Sequence, residues 1–362
     1  MDRQVENAPL IHPSQARTPH PGHGPQDPRV GTPARRLGSF RRTTTHTSLR
    51  PDGIFGNVQM QGLGRDIWTG PDGAVGPLAR ARLDATIAFV EDRSLRALTL
   101  DPDPGMGLDG LVGRSVASGF RRAVDQAWPT PAPGTPASTL PDRDRGASLT
   151  YQLLDEMPTA AMVSGYALGA AGMHLPESQF VPDVCIGWAT GATIMTQGKK
   201  LRHIPIPQGP LAPTLESPGD PEAWHGVGPE GPHATRRRRR IDLWGPEEGG
   251  PLAFEAFFQD SHFDAEGVET VVHEYLVTGE LDAGTQVFLS CRAETGVLPW
   301  VECPGALATA GRLVGTTPHD LRDRVRQTFV GTTTCTHLND TLRALAVLPH
   351  MAAVVERRGE FT

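Results

Sequence analysis

A chain of 362 residues with 38% hydrophobic content can hold two domains of ordinary size, each with a modest core. Its formal net charge of −7 argues against general nucleic-acid binding, and no apolar run approaches the ~18 residues of a membrane span. Four cysteines without close pairing form no disulfide framework, and the first residues lack the apolar core of a secretory leader, so a cytoplasmic protein is the expectation.

Residues 1–34 are rich in Pro, His and Gly without apolar periodicity and read as a disordered or surface-hugging arm. Thr43–Leu49 and Ile54–Leu63 flank the turn sequence Pro51-Asp52-Gly53 and read as a hairpin. Leu83–Glu91 and Leu95–Leu100 supply two more strands. Helices follow, one carrying Phe120, Ala123, Val124 and Ala127, the next starting near Ser148 with Leu149, Leu153 and Met157. Residues 160–235 form an insert, with apolar Val184–Met195, and a Pro/Gly-rich connection. Ile241–Trp244 with Leu252–Asp260, and Val268–Leu281 with Gln286–Ala293, read as two further strand pairs. Asp320–Phe329 is a helix, and a last one runs from Thr336 to Val347 and stops at Pro349. Residues 352–362 read as a tail.

The order of elements repeats, and so do residues. Asp66 falls on Asp260 without a gap when Val58 is placed under Leu252. Leu83-Asp84 then falls under His273-Glu274, Leu111-Val112-Gly113 under Leu313-Val314-Gly315, and Gly146-Ala147-Ser148-Leu149 under Cys335-Thr336-His337-Leu338. The expected fold class is therefore α+β. Two repeated units, 35–159 and 236–351, each put a four-stranded antiparallel sheet before helices and pack as a pseudo-symmetric pair.

Only the second unit keeps chemistry-bearing residues at the repeated positions. Cys335 at a helix start gains thiolate character from the helix dipole. His337 serves as acid/base or metal ligand, and Asp340 on the same helical face orients the imidazole. Asp260 joins them as a candidate catalytic residue, since Asp260-Ser261-His262-Phe263-Asp264 alternates along a strand. His273, with Leu83 as its counterpart, reads as a late addition to the site. A competing arrangement holds zinc or another divalent transition metal with Cys303, Cys335 and His337. Arg236–Arg240 reads as structural ion pairs with the acidic surface rather than an anion site. Trp224-His225 is a candidate piece of a lid. No phosphate loop, nucleotide fingerprint or nucleophile elbow is present.

Cys335-Thr336-His337-Leu338, with Gly331 before it, Glu302-Cys303-Pro304 and Leu313-Val314-Gly315 upstream and Asp260 closing the second strand, resembles the bacterial family called domain of unknown function 2889. The likeness covers the second unit well and the first only as an eroded copy. It implies that Cys303, Cys335 and His337 belong together, and points to small-molecule catabolism. The resulting expectation is a catabolic enzyme of hydrolase or lyase type acting on a small molecule. The alternative is a non-catalytic ligand-binding or accessory subunit with a structural Cys/His cluster. A homo-oligomer or a partner subunit is the remaining partner class, without nucleic acid or membrane.

Overall fold

The structure, a computed structural model, describes residues 22–105, 107–128, 145–173, 180–217, 219–228, 230–245 and 250–359. Eight antiparallel strands form one sheet: β1 (Ser39–Leu49), β2 (Val58–Thr69), β3 (Val75–Ala88), β4 (Ser94–Asp101), β5 (Thr235–Trp244), β6 (Leu252–Phe263), β7 (Glu269–Leu281) and β8 (Phe288–Thr295). Their order, β4-β3-β2-β1-β5-β6-β7-β8, joins two consecutive meanders through the β1–β5 seam. The expected α+β class holds, as a single continuous sheet. Most of the expected strands lie where alternation and turn residues put them, but β1 and β5 begin earlier, at Ser39 and Thr235. Their first residues include Arg41, Arg42 and Arg236–Arg240, which a reading for surface charge leaves out.

The helices are α1 (Phe120–Ala127), α2 (Leu149–Ser164), α3 (Tyr166–Ala170), α4 (Thr193–Leu201), α5 (Leu321–Thr328), α6 (Thr336–Ala344) and α7 (Leu348–Gly359). Ser148 caps α2 by accepting from the Tyr151 amide at 3.1 Å, as a serine at that position should. Pro349 does not end the last helix. A short 3-10 turn, Leu345–Val347, leads into α7, and Pro349 occupies its first turn, where a missing N–H costs nothing. The expected tail is thus helical to Gly359, with Val354 and Val355 buried.

Two apolar clusters fill the helix-covered side. One gathers Val58, Leu83, Ile87, Phe120, Leu153 and Met157; the other gathers Phe254, Phe258, Tyr275, Phe288, Leu338 and Leu342. The opposite face of the seam is covered by the connection between α4 and β5. Trp224 packs edge-on against Phe257, and the His225 ring lies 3.2 Å from the Thr43 carbonyl. These two residues cover the sheet rather than a pocket mouth over His337. Residues from 22 onward also run along the fold, with Gln26 bridged to Val297 and Gly31 donating to the Thr214 carbonyl. Residues 1–21 of the expected arm lie outside the described residues.

The seam is lined with buried charge. Arg41, Arg42, Arg237 and Arg239 are among the largest fully buried side chains. All of Arg236–Arg240 are ion-paired: Arg237 with Asp260 and Asp340, Arg239 with Glu156 and Asp340, and the others with Glu230, Glu269, Asp242 and Glu255. The expectation of ion pairing is met, but the acids are buried or half-buried residues, not an acidic surface. An uncompensated charge here would cost several kcal/mol, which is why every guanidinium finds a carboxylate.

Candidate functional site

The site begins as a row across three strands. Register puts Arg237 of β5 opposite Asp260 of β6, and Asp260 opposite His273 of β7. Arg237 grips Asp260 through Nε and Nη2, both at 2.9 Å. The pairing of β6 with β7 slips between Asp260 and Ser261, leaving Val272 as an extra residue beside His273. A bulge re-aims side chains, and here both Val272 and His273 line the same cavity. Glu274 faces the other way, bonded to Gln259 and to the Arg29 amide.

The third member arrives from α6. Cys335 is the residue before that helix, and His337 lies in its first turn. The His337 ring stacks on the His273 ring at 3.6 Å with 20° between planes. Asp260 Oδ2 lies 3.6 Å from His273 Nδ1 and 3.9 Å from His337 Nε2. Burial pushes the Asp260 carboxyl up, but the Arg237 guanidinium, together with His273 and His337, outweighs this and holds Asp260 far below the usual carboxylate range. Burial pushes His337 well down, His273 beside it adds to this, and Asp260 opposes it. His337 is therefore neutral near pH 7.

Cys335 does not behave as a helix-start thiol. Its Sγ is 3.9 Å from His337 Nδ1, but burial raises its pKa, against the lowering by the Tyr275 hydroxyl and the first amides of α6. Burial outweighs the dipole, so the group is a thiol and not the expected thiolate. Cys303 is raised well above its ordinary value for the same first reason. Among the described residues, the groups that converge within 4.8 Å as potential ligands are Asp260, His273 and His337; Cys303, Cys335 and His337 do not converge in this way. Asp340 is bonded to arginines and not to His337. Its Oδ2 accepts from Arg237 at 2.7 Å and Arg239 at 2.9 Å, and its Oδ1 from Arg121 at 2.5 Å.

The cavity against this triangle measures about 630 Å³. Its wall is mainly apolar, with Ile194, Ile204, Trp188, Trp300 and Phe329. Met162 and Val163 from α2 and Arg121 from α1 complete it, so both ends of the chain contribute. A second cavity, of about 1060 Å³, is lined by Asp66, Ala79 and Ala147, with Arg322, Ala346 and His350 from the C-terminal end. There Arg42 grips Asp66 at 2.7 and 2.6 Å, and register places Ala79 opposite Asp66. Ala79, not Leu83, thus occupies the place matching His273.

Sequence reasoning grouped His337 with Cys335, Asp340 and Asp260, and singled out His273 as a late addition to the site. Arg237 as the partner of Asp260 was missed. The available signal was the basic residue ahead of each repeated acid, at Arg42 and Arg237.

The profile of the family described as "Protein of unknown function (DUF2889)" matches residues 235–350, the span from β5 into the start of α7, in agreement with the Cys-Thr-His-Leu resemblance. No curated protein and no solved structure matches the chain. Among the described residues no helix is long and apolar enough to cross a membrane.

Proposed function

We propose, for a chain with this family's signature in its C-terminal part, a small-molecule enzyme of hydrolase or lyase type. Its reaction centre is the triangle of Asp260, His273 and His337. One observation carries the reading: two imidazoles from different elements stand side by side in the wall of a largely apolar cavity of about 630 Å³, with the charged, fully buried Asp260 carboxylate directly behind them. That volume falls in the range of small-molecule sites, where a few polar groups converge in an apolar lining. A neutral His337 is the form that takes a proton or binds an ion. Cys335 packs against this centre as a protonated thiol rather than attacking.

We also infer that the chain is a fused duplicate. The support is the Arg42–Asp66 and Arg237–Asp260 pairs at matching register, slips in the β2–β3 and β6–β7 pairing directly after each aspartate, and Gln152 and Asp340 accepting from Nη1 of the two arginines. On this reading the first unit keeps the ion pair and has lost the imidazoles.

The test uses p-nitrophenyl hexanoate, whose apolar chain suits the lining. The expected result is hydrolysis that falls at least tenfold in His337→Ala, and saturation that weakens in Val163→Trp, which fills the cavity wall. Binding without turnover, unchanged in His337→Ala, would instead favour a non-catalytic ligand carrier.

A further inference from the structure

We propose that Asp260, His273 and His337 together hold one divalent first-row transition-metal ion, whose remaining coordination positions open into the apolar cavity. The proposal deepens the reading of this cavity as the reaction centre and rests on it.

Each of the three residues offers one ligand atom within 4.8 Å of the others, and Asp260 Oδ2 faces His273 Nδ1 at 3.6 Å and His337 Nε2 at 3.9 Å. At 3.6 and 3.9 Å, the contacts to Oδ2 are too long for hydrogen bonds. His273 Nδ1 is buried and has no hydrogen-bond partner. A buried polar atom without a partner is unusual and costly, and an ion between these atoms would satisfy it. Ligands about 2.1 Å from a common ion stand roughly 3.0–3.4 Å from each other, so the two contacts to Oδ2, at 3.6 and 3.9 Å, would shorten by roughly 0.2–0.9 Å on binding. The stacked rings must also turn apart, because an ion lies in the plane of each imidazole that binds it.

Surrounding residues behave as an outer shell. Arg237 fixes the Asp260 carboxylate through two bonds and is itself held by Asp340 at 2.7 Å. Ligating carboxylates are commonly held in this way. The first unit retains the corresponding Arg42–Asp66 pair but has Ala79 where His273 stands, so the sheet does not require the imidazole. Two imidazoles and one carboxylate suit zinc, iron, cobalt or manganese and disfavour calcium and magnesium. Three protein ligands leave open positions, and these face the cavity wall that His273 and His337 help to form.

The experiment is metal titration of the purified full-length chain, stripped with chelator, using Co(II) and Zn(II) alone. Elemental analysis follows after dialysis. The expected result is about one ion per chain, visible absorption bands on Co(II) loading, and at least a hundredfold weaker binding in both His273→Ala and His337→Ala. Cys335→Ser should bind as the parent does. His273→Ala should fold, as Ala79 does in the first unit, and circular dichroism checks this. Failure to retain Co(II) or Zn(II) overturns the proposal. So does full binding in a folded His273→Ala, or loss of binding in Cys335→Ser. These readouts need no turnover. Ion binding without ester hydrolysis refutes the enzymatic reading alone, and hydrolysis by a chain that retains neither Co(II) nor Zn(II) refutes the metal alone.

Discussion

Replacing Asp340 by Asn should damage stability far more than its place beside the cavity suggests. Asp340 is buried and receives three guanidinium groups, from Arg237, Arg239 and Arg121. An amide keeps one accepting oxygen, carries no charge, and turns a donor towards an arginine. Breaking a buried pair by removing one partner costs about 3–5 kcal/mol. Arg237 keeps Asp260 and Arg239 keeps Glu156, so the lower end, about 3 kcal/mol, is expected. That is a large part of a typical total of about 5–15 kcal/mol. With roughly 2 cal/mol/K of unfolding entropy per residue, a chain of this length should melt about 4 °C lower. Urea denaturation of the parent and Asp340→Asn measures the difference directly. A loss below about 1 kcal/mol, with a strongly reduced reaction rate, would refute this account and restore Asp340 as the residue that orients His337.

Two other outcomes are expected. His225 and His262 are buried and held down to about 4, by burial first, then by Arg65 beside His225 and His233 beside His262. Their folded-state pKa lies below the unfolded value, so the unfolded chain takes up protons first as pH falls. Stability should drop from about pH 6.5 and level off near 4, with each histidine accounting for about 2 kcal/mol by pH 5. Urea midpoints at pH 7 and 5 check this, and His225→Gln should flatten the slope; an unchanged slope would remove His225 from the explanation. The Cys335 thiol, buried and raised, should react with iodoacetamide at pH 7.5 only after unfolding. Fast labelling of the native chain, read by mass spectrometry, would contradict its assignment as a packed thiol.

Much of the sheet was legible because alternation and turn residues mark strands locally. Pro51-Asp52-Gly53 separates β1 from β2 as read, and Ser148 caps α2 where a helix start was expected. The beginnings of β1 and β5 were not legible, because the fully buried Arg237 and Arg239 are compensated by acids remote in sequence. Glu156 on α2 and Asp340 on α6 supply that compensation, and no local pattern announces it. Asp260 and His337 could be singled out as residues. Their partnership with His273 depends on the slip after Asp260, and a slip of one residue is invisible in the period of the strand. At Cys335 the amides at the start of α6 do lower the thiol pKa, but burial, which the local sequence does not reveal, is the larger effect.

The cavity wall draws on α1 and α2 from one end of the chain and on β7 and α6 from the other. Were those ends separate polypeptides, the site would exist only while they were associated, and its occupancy would fall on dilution. One continuous backbone replaces that encounter with a local concentration set by the connecting segment, in the millimolar range or above for short flexible tethers. The cavity is then expected to persist at any protein concentration in the cell. On the proposed duplication, the same tether frees the two ends from having to remain identical, so one keeps His273 while the other carries Ala79 opposite its aspartate.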